Sequence, residues 1–316
     1  MRRIKVYLLG TASSIPTKDR NPQSILIWRE GTYFMFDCGE GTQRQMMKAG
    51  LGFNRQMRIF VTHIHGDHVL GLPGLLQTMG FLGRDKPLEL YGPRGLRTFV
   101  ECNLRALDVK LIYPLKLRMV KEGTVYEDEE VVVKARKGRH GIANYAYRFE
   151  EKPRPGRFNV KRALELGVPK GPLWKRLQEG HEVKIGDRVV KPEEVLGPPR
   201  RGLSVGISGD TRAIPRLEEF FRGVDLLIFE STYTTRHEDV AREYLHSTAK
   251  EAAELAKNAG VKALIMTHVS NRYREMGEVL EEARCIFENS YVAEDLMSVE
   301  VSEEGVVISS SSARTA

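Results

Sequence analysis

The sequence has few cysteines and no long apolar run. Its three cysteines, Cys38, Cys102 and Cys285, are an odd number without paired spacing. This usage excludes a disulfide framework and predicts reduced thiols in the core. No apolar stretch approaches the roughly 20 residues of a membrane span, and the one within residues 1–10 is too short for a secretory signal. We therefore expect a soluble, cytoplasmic protein with no membrane segment.

The positive charge is confined to one segment. The 316 residues carry a formal net charge of +7. Residues 152–201 contain 13 Lys or Arg against 6 Asp or Glu, so the rest of the chain is formally neutral. A local basic excess attracts polyanions because it releases their counterions. A solvated charged surface is the alternative, but concentration in one segment favours nucleic acid binding.

Short apolar runs alternate with helical patterns along most of the chain. Strands are predicted at residues 4–9, 24–28, 33–37, 58–61, 125–135, 144–149, 203–208, 225–229, 263–267, 297–301 and 305–309. Helices are predicted at residues 72–79, 96–107, 216–221, 249–258 and 275–287. Two similar halves of this kind predict an α/β fold, an αββα four-layer sandwich in a single domain of residues 1–316.

Residues 152–202 interrupt this alternation. They contain 7 of the 14 prolines, so they are unsuited to a central strand and are predicted to form an inserted basic arm. Within the arm, a short amphipathic helix is expected after the Pro-Gly turn at residues 169–171. A flexible surface loop is the alternative. Against it, Leu173, Trp174 and Leu177 are apolar and need something to pack against.

Three histidines and an aspartate lie together in His63-Ile-His65-Gly-Asp67-His68, directly after the strand predicted at residues 58–61. Buried polar groups need partners, and clustered neutral histidines disfavour one another's protonation, so packing alone does not account for them. Imidazole and carboxylate together are typical ligands of zinc and similar transition metal ions. The cluster therefore predicts a metal site.

This His-x-His-x-Asp-His turn resembles the metallo-β-lactamase superfamily. The further ligands of that superfamily have counterparts in order, each on a loop beside a predicted strand, at His140, Asp210 and His268. The resemblance implies two Zn²⁺ per subunit, with Mn²⁺ or Fe left open. One ion would be held by His63, His65 and His140, the other by Asp67, His68 and His268, and Asp210 would bridge both.

Four further segments resemble the ribonuclease Z family of this superfamily. Pro16-Thr-Lys-Asp-Arg-Asn21 resembles its Pro-x-Lys-x-Arg-Asn loop, and Tyr244-Leu-His-Ser-Thr-Ala-Lys-Glu251 resembles its His-Ser-Thr loop. Phe36-Asp-Cys-Gly-Glu-Gly-Thr-Gln43 is similar to an early loop that is expected to support the site. Gly167-Val-Pro-Lys-Gly-Pro172, in the arm, resembles the core of the flexible arm with which the family grips tRNA.

The resemblance implies a zinc-dependent endoribonuclease that removes the 3′ trailer from precursor tRNA, leaving a 3′-hydroxyl on the tRNA and a 5′-phosphate on the trailer. Asp67 would accept a proton from the attacking water, and His246, oriented by Glu230, would act as general acid. The substrate-binding residues would be Lys18, Arg20, Asn21, Ser247 and Thr248, and in the arm Gly171, Pro172, Lys175 and Arg176.

The same resemblance implies that precursor tRNA is the partner and that the protein is a homodimer, in which the arm of one subunit presents tRNA to the other. Two alternatives stay open. A small-molecule hydrolase of the same superfamily, such as a phosphodiesterase, sulfatase or lactonase, would need no arm. A non-catalytic RNA-binding protein would be expected to lack a metal ligand, and none is missing.

Overall fold

A computed structural model of the chain describes residues 3–309, so the domain predicted for residues 1–316 reaches beyond the described range at both ends. The strands in this range are β1 (Arg3–Gly10), β2 (Ser24–Arg29), β3 (Thr32–Phe36), β4 (Gln56–Phe60), β5 (Leu88–Gly92), β6 (Leu115–Met119), β7 (Gly123–Glu127), β8 (Val131–Lys137), β9 (Tyr145–Glu151), β10 (Val183–Ile185), β11 (Arg188–Val190), β12 (Ser204–Ile207), β13 (Leu226–Glu230), β14 (Ala263–Thr267), β15 (Ser290–Val292), β16 (Ser298–Ser302) and β17 (Gly305–Ser309).

The α-helices in the same range are α1 (Thr42–Lys48), α2 (Gly66–Val69), α3 (Gly71–Phe81), α4 (Gly95–Ala106), α5 (Val160–Glu165), α6 (Pro172–Gln178), α7 (Pro215–Phe220), α8 (Glu238–Glu243), α9 (Ala249–Ala259) and α10 (Gly277–Arg284). Short 3-10 helices lie at Pro192–Glu194 and Thr235–His237. Among these described helices, none combines the length and the apolar character needed to cross a membrane.

Two large sheets contain most of the strands. The first has eight strands in the order β17-β16-β1-β2-β3-β4-β5-β6, and the second has seven in the order β15-β14-β13-β12-β9-β8-β7. Strands β3 to β6 run parallel to one another, as do β12 to β15. Because the carboxyl ends of parallel strands share one edge of a sheet, the loops after them lie together, which is where such folds build their sites.

The two sheets pack face to face through aromatic side chains. Alternate residues of β3 point to opposite faces, so Phe34 and Phe36 face the second sheet. The ring of Phe34 lies 5.0 Å from that of Phe149, and the ring of Phe36 lies 5.6 Å from that of Tyr147. The Tyr147 hydroxyl donates to the backbone oxygen of Val61 at 2.7 Å, so this buried polar group is also satisfied across the interface.

Helices cover the outer face of each sheet. Leu72, Leu76 and Met79 of α3 pack in one apolar cluster with Tyr33 and Met35 of β3. Helices α7, α9 and α10 pack on the outer face of β13 and β14 in a second cluster. The layers are therefore helix, sheet, sheet, helix, and the predicted αββα sandwich is confirmed.

Two expectations about local structure are wrong. The single strand predicted at residues 125–135 is two strands, β7 and β8, because Asp128 interrupts it: its Oδ1 accepts hydrogen bonds from the backbone nitrogens of Glu130 and Val131, at 2.9 and 2.7 Å, and so forms a turn. The cysteines are free, as expected, but only Cys38 is in the core, whereas Cys102 and Cys285 are exposed.

A second compact unit comprises Asp128–Val132 and Glu150–Gly202. It contains α5, α6 and the β10–β11 hairpin around its own small apolar core, which includes Ala163, Val168, Leu177 and Val190. Leu173 and Trp174 pack against this core, and Trp174 Nε1 donates to the backbone oxygen of Val168 at 3.1 Å. The arm segment therefore folds around the apolar residues that argued against a loop.

Candidate metal centre and active site

The seven predicted ligands converge although they are far apart in the sequence. Their loops follow β4, β12 and β14 or connect β8 to β9, and Asp67 and His68 lie in the short helix α2. His268 adopts a left-handed backbone conformation with φ 58°. That conformation is uncommon for a residue other than glycine and often marks a functional position.

The first group of ligand atoms belongs to the side chains of His63, His65, His140 and Asp210. All four atoms lie within 4.8 Å of one another. His65 Nδ1 is 3.0 Å from His63 Nε2 and 3.3 Å from His140 Nε2. These nitrogens lie close enough together to bind one ion, as a tetrahedral site requires.

The second group belongs to the side chains of Asp67, His68, His268 and, again, Asp210. Asp67 Oδ2 is 3.4 Å from His68 Nε2 and 3.3 Å from His268 Nε2. Asp210 Oδ1 is 3.3 Å from His68 Nε2, and its Oδ2 is 3.2 Å from His268 Nε2. Because the carboxylate of Asp210 belongs to both groups, it lies where a bridging ligand must lie.

Two buried atoms of this cluster, His68 Nε2 and Asp210 Oδ1, lie 3.3 Å apart but form no hydrogen bond of acceptable geometry with each other or with any other group of residues 3–309. A buried polar atom without a partner costs free energy, and such atoms in a folded protein call for an explanation. A cation beside both atoms provides one. The donor set, which consists of imidazole nitrogens and carboxylate oxygens, fits divalent transition metal ions.

The protonation states of His63, His65, His140 and Asp210 suit metal binding. Burial lowers the pKa of His63 well below its usual value, and burial also lowers the pKa of His65 and His140. Burial opposes ionisation of Asp210, but the nearby His268 and His68 outweigh it and hold the pKa of that carboxyl well below its usual range. Neutral imidazoles and an ionised carboxylate are the forms that bind metal. For His68, burial opposes protonation, but the carboxylates of Asp210, Asp37 and Asp67 outweigh it and raise its pKa well above the usual value.

Hydrogen bonds orient the candidate ligands from behind. Asp37 Oδ2 lies 2.7 Å from His68 Nδ1, and Asp37 in turn accepts from the backbone nitrogen and hydroxyl of Thr62, at 2.8 and 2.9 Å. Thr232 Oγ1 lies 2.9 Å from His268 Nδ1. Contacts of this kind fix which ring nitrogen faces the metal. Asp37 therefore has the supporting position that the sequence suggested.

His246 and Glu230 form a buried pair next to this cluster. His246 Nδ1 lies 2.8 Å from Glu230 Oε1, and the His246 ring stacks on that of His268 at 5.4 Å. Burial opposes protonation of His246, but the Glu230 carboxylate outweighs it and raises the pKa of His246 to about 9. The imidazole is therefore protonated at neutral pH and can donate a proton through Nε2.

Comparison with known proteins agrees with this geometry. Residues 195–269 match the beta-lactamase superfamily domain, and residues 4–142 match the family of the anti-Pycsar protein Apyc1. Proteins named ribonuclease Z from Nitrosopumilus maritimus and Methanothermobacter thermautotrophicus are 45% and 48% identical to this chain over 94% of its length, and the alignments cover 100% and 97% of those proteins. The chain belongs to the ribonuclease Z family.

A solved structure of a ribonuclease Z relative supports the same assignment. The crystal structure of human tRNase Z, short form, matches with a TM-score of 0.67 at 28% identity and covers 93% of this chain and 98% of that one. A long-form RNase Z from yeast, at 19% identity and a TM-score of 0.66, shares the fold and matches over 42% of its own length. Membership in the ribonuclease Z family implies dependence on a divalent metal ion.

The loop that resembles the family's Pro-x-Lys-x-Arg-Asn motif is anchored to the fold through Arg20. Its Nη1 donates to Thr11 Oγ1 at 2.8 Å and to the backbone oxygen of Ala293 at 2.7 Å. Lys18, by contrast, is exposed. Lys18 is thus free to meet a phosphate, whereas a phosphate contact by Arg20 would have to use its other nitrogens.

Asp295 is a residue of this region that the sequence analysis missed. Its carboxylate accepts hydrogen bonds from Thr11 Oγ1, from the backbone nitrogen of Asn21 and from Gln45 Nε2, each at 2.8 Å. It therefore holds the loop to the fold through Asn21 and Thr11. An isolated aspartate near the end of a chain gives no sequence signal, since its partners are more than 240 residues away.

Ser247 and Thr248 lie inside the fold. Ser247 Oγ donates to the backbone oxygen of Thr211 at 2.6 Å. Thr248 caps α9 through the predicted capping box with Glu251, which is confirmed. Both side chains are buried, so a direct substrate contact would have to displace these hydrogen bonds.

The residues predicted in the arm have the opposite character. Gly171, Pro172, Lys175 and Arg176 are exposed at the start and along the outer side of α6. The Lys175 side chain forms a long ion pair with Glu179, at 3.7 Å, and is 78% exposed. These charges are therefore accessible to a ligand in solution.

Proposed function

We propose that the chain is a zinc-dependent endoribonuclease that removes the 3′ trailer from precursor tRNA. Its products are a tRNA with a 3′-hydroxyl and a trailer with a 5′-phosphate. The observation that carries the proposal is the pairing of protonated His246 with buried Glu230 directly beside seven candidate metal ligands. Relatives that are named ribonuclease Z and align over 94% of the chain support the choice of substrate.

Two Zn²⁺ per subunit are proposed, because the side chains form two overlapping groups that share Asp210. His63, His65 and His140 hold one ion, and Asp67, His68 and His268 hold the other. The predominance of imidazole favours zinc over Mn²⁺, while iron suits the same ligands and stays an alternative. When bound, the pair of ions supplies an activated water and neutralises charge on the phosphoryl oxygens.

The chain's own residues move the protons. Burial opposes ionisation of Asp67, but the nearby His68 and His268 lower its pKa below its usual range, so its carboxylate is ionised. Asp67 is proposed as the group that accepts a proton from the attacking water. His246 gives its proton to the departing 3′ oxygen of the tRNA. Glu230 holds the imidazole by Nδ1, so that Nε2 is the nitrogen that donates.

The basic arm of residues 152–202 is proposed as an inserted tRNA-binding exosite of a single metallo-β-lactamase-fold domain. Its exposed residues Gly171, Pro172, Lys175 and Arg176 meet the tRNA backbone, which is recognised by shape and charge more than by sequence. Near the active site, Lys18, Arg20 and Asn21 contact phosphate. Ser247 and Thr248 are proposed to contact the substrate beside His246, which requires them to exchange their present hydrogen bonds for contacts with it.

The protein is further proposed to act as a homodimer in which one subunit's arm delivers tRNA to the partner's active site. The small-molecule hydrolase remains the alternative function. It leaves the net charge of +7 on residues 152–201 without a purpose, and the relatives named ribonuclease Z count against it.

The test compares a 3′-extended precursor tRNA with the same tRNA in its mature form, with and without a chelator. The proposal predicts one cut in the precursor that leaves a 3′-hydroxyl, no comparable cut in the mature tRNA, and loss of activity with chelator that added zinc restores. Hydrolysis of small diesters or lactones without any cleavage of precursor tRNA would overturn it.

A further inference from the structure

The guanidinium group of Arg212 holds the loop that carries His246 at two points. Nη1 donates to the backbone oxygen of His246 at 2.7 Å, and Nη2 donates to Glu251 Oε1. The other carboxylate oxygen of Glu251 accepts from the backbone nitrogen of Thr248 at 2.9 Å. One side chain thus fixes both the backbone of His246 and, through Glu251, the end of its loop where α9 begins.

The backbone of Arg212 connects the same loop to the candidate metal ligands. Arg212 is two residues beyond Asp210, and its nitrogen donates to the backbone oxygen of Arg139 at 3.0 Å. The nitrogen of Arg139, which precedes His140, donates in return to Thr211 Oγ1 at 2.9 Å. Arg212 therefore contacts the loop of His246 and also belongs to or contacts the loops that carry the candidate ligands Asp210 and His140.

The loop needs such a restraint because its backbone is strained. Leu245, directly before His246, has φ 60°, which is in the left-handed region that residues with a Cβ rarely adopt. Glu230 fixes the ring through His246 Nδ1 and also accepts from the backbone nitrogen of the next residue, Ser247, at 3.1 Å. The backbone groups of His246 itself are held by Arg212 and by the hydrogen bond from the His246 nitrogen to the Ala241 oxygen at 2.8 Å.

A direct role of Arg212 with substrate does not fit these contacts. Its side chain is 13% exposed, and two of its nitrogens already donate inside the protein. An ordinary surface ion pair does not fit either, since one acceptor is a main-chain oxygen of the proposed general acid. Such a contact acts on the geometry of proton transfer, where small displacements have large effects on rate.

We propose that Arg212 is a positioning residue that places His246 for proton donation to the leaving oxygen. The inference rests on the proposed function, since it takes His246 as the general acid. If Arg212 has this role, the effect of replacing it depends on the leaving group. Arg212 matters for a leaving group that needs a proton, such as the 3′ oxygen of a tRNA, and matters little for p-nitrophenolate, which departs without one.

The experiment measures two substrates, precursor tRNA and bis(p-nitrophenyl) phosphate, with Arg212→Met, Arg212→Lys and the control Arg216→Met. Arg216 lies in the same segment but pairs with the side chain of Glu122, away from the loop. Arg212→Met should lower kcat on precursor tRNA by about tenfold or more, with KM, metal content and hydrolysis of the p-nitrophenyl diester near the wild-type values. Arg216→Met should resemble wild type with both substrates.

Arg212→Lys should fall between the wild type and Arg212→Met, because an ammonium group can reach one of the two acceptors but lacks the planar fork. It also keeps the test decisive if Arg212→Met fails to fold. Combining Arg212→Met with His246→Ala should give no further loss beyond that of His246→Ala alone, since the two changes remove the same step.

Three results would overturn the inference: an equal loss with both substrates, a raised KM with unchanged kcat, or wild-type cleavage of precursor tRNA by Arg212→Met. Failure of the proposed function is a different result, in which the wild-type protein itself does not cleave precursor tRNA. If His246→Ala cleaves precursor tRNA at the wild-type rate, the assignment of the acid is wrong whatever Arg212 does. If His246→Ala is impaired and Arg212→Met is not, only the role of Arg212 is wrong.

Discussion

His246 Nδ1 lies 2.8 Å from Oε1 of Glu230, and the same carboxylate accepts hydrogen bonds from the backbone nitrogens of Thr211 and Ser247 at 2.9 and 3.1 Å. A buried carboxylate with this many donors stays ionised, which favours a charged imidazole beside it. The pair is thus suited to the proton donation proposed for His246, beside the two groups of candidate ligands that share Asp210. Glu230 and His246 also form a third group of possible ligand atoms with His268.

Replacing His246 distinguishes a role in proton donation from a role in metal binding. His246→Ala should lower turnover of precursor tRNA by roughly a hundredfold or more, because the leaving oxygen then departs without a positioned proton donor. Metal content, measured by mass spectrometry on the purified protein, should not change. Lost metal in the variant would mean that His246 is a ligand and not the acid.

Glu230→Gln tests the pH dependence. Because the pKa of His246 is raised, its imidazole is fully protonated below the ordinary histidine pKa and loses its proton only as the pH rises through about 9. The wild-type kcat should therefore hold up to about pH 9, and in Glu230→Gln its fall should move down towards about 6.5, the ordinary value. Measuring kcat on precursor tRNA from pH 6 to 10 checks this. An unchanged upper limit would contradict the pairing.

Asp210 tests the shared ligand. Asp210→Ala should lose both ions, because its carboxylate belongs to both groups. With zinc at about a hundred times the Kd of each site, the wild type should gain about 2.7 kcal/mol in free energy of unfolding per ion, or about 5.4 kcal/mol for two ions, and the variant should gain little. Thermal unfolding with zinc and with chelator measures this. The control is Asp85→Ala, an exposed carboxylate, which should behave as wild type. A variant that retains one tightly bound ion would exclude a bridging role.

Removing the arm tests the exosite. Arg154 and Arg200 exchange backbone hydrogen bonds at 2.9 and 2.8 Å, so residues 155–198 can be replaced by a short glycine linker without separating the two ends. The deletion should weaken binding of precursor tRNA and spare hydrolysis of bis(p-nitrophenyl) phosphate. If both activities are lost, the segment supports the fold and is not an exosite.

A milder change tests the same surface. Replacing Lys175 and Arg176 by alanine should weaken tRNA binding most at low salt, and should reduce the slope of log K against log salt by about 0.7–0.9 for each phosphate contact removed. Binding measured between 50 and 200 mM salt gives this slope. An unchanged slope would mean that these two side chains do not meet phosphate.

The sequence was sufficient for features that are local. One turn contains the whole motif His63-Ile-His-Gly-Asp-His68, so the sequence alone predicts that these side chains lie together. The alternation of strands and helices predicts the four layers. The sequence does not predict the role of a residue whose hydrogen-bond partners are far away along the chain. Asp295 and Arg212 have no motif, and their roles depend on contacts that only folding creates.

Short elements were also missed. Helix α1 has no side-chain N-cap and no acidic residue in its first turn, so it lacks the usual start signals. Strand β6 is an edge strand with exposed Lys116 and Arg118, and it reads as a charged loop. The turn at Asp128 was missed because the apolar residues on either side of it suggested one continuous strand.

The most direct test of the account measures the metal itself. Anomalous diffraction at the zinc edge from crystals of the purified protein should show two ions per chain. One should contact His63, His65 and His140, the other should contact Asp67, His68 and His268, and both should touch Asp210. A single ion, an ion bound elsewhere, or ligands that fail to approach an ion after zinc is added would contradict the assignment of the centre.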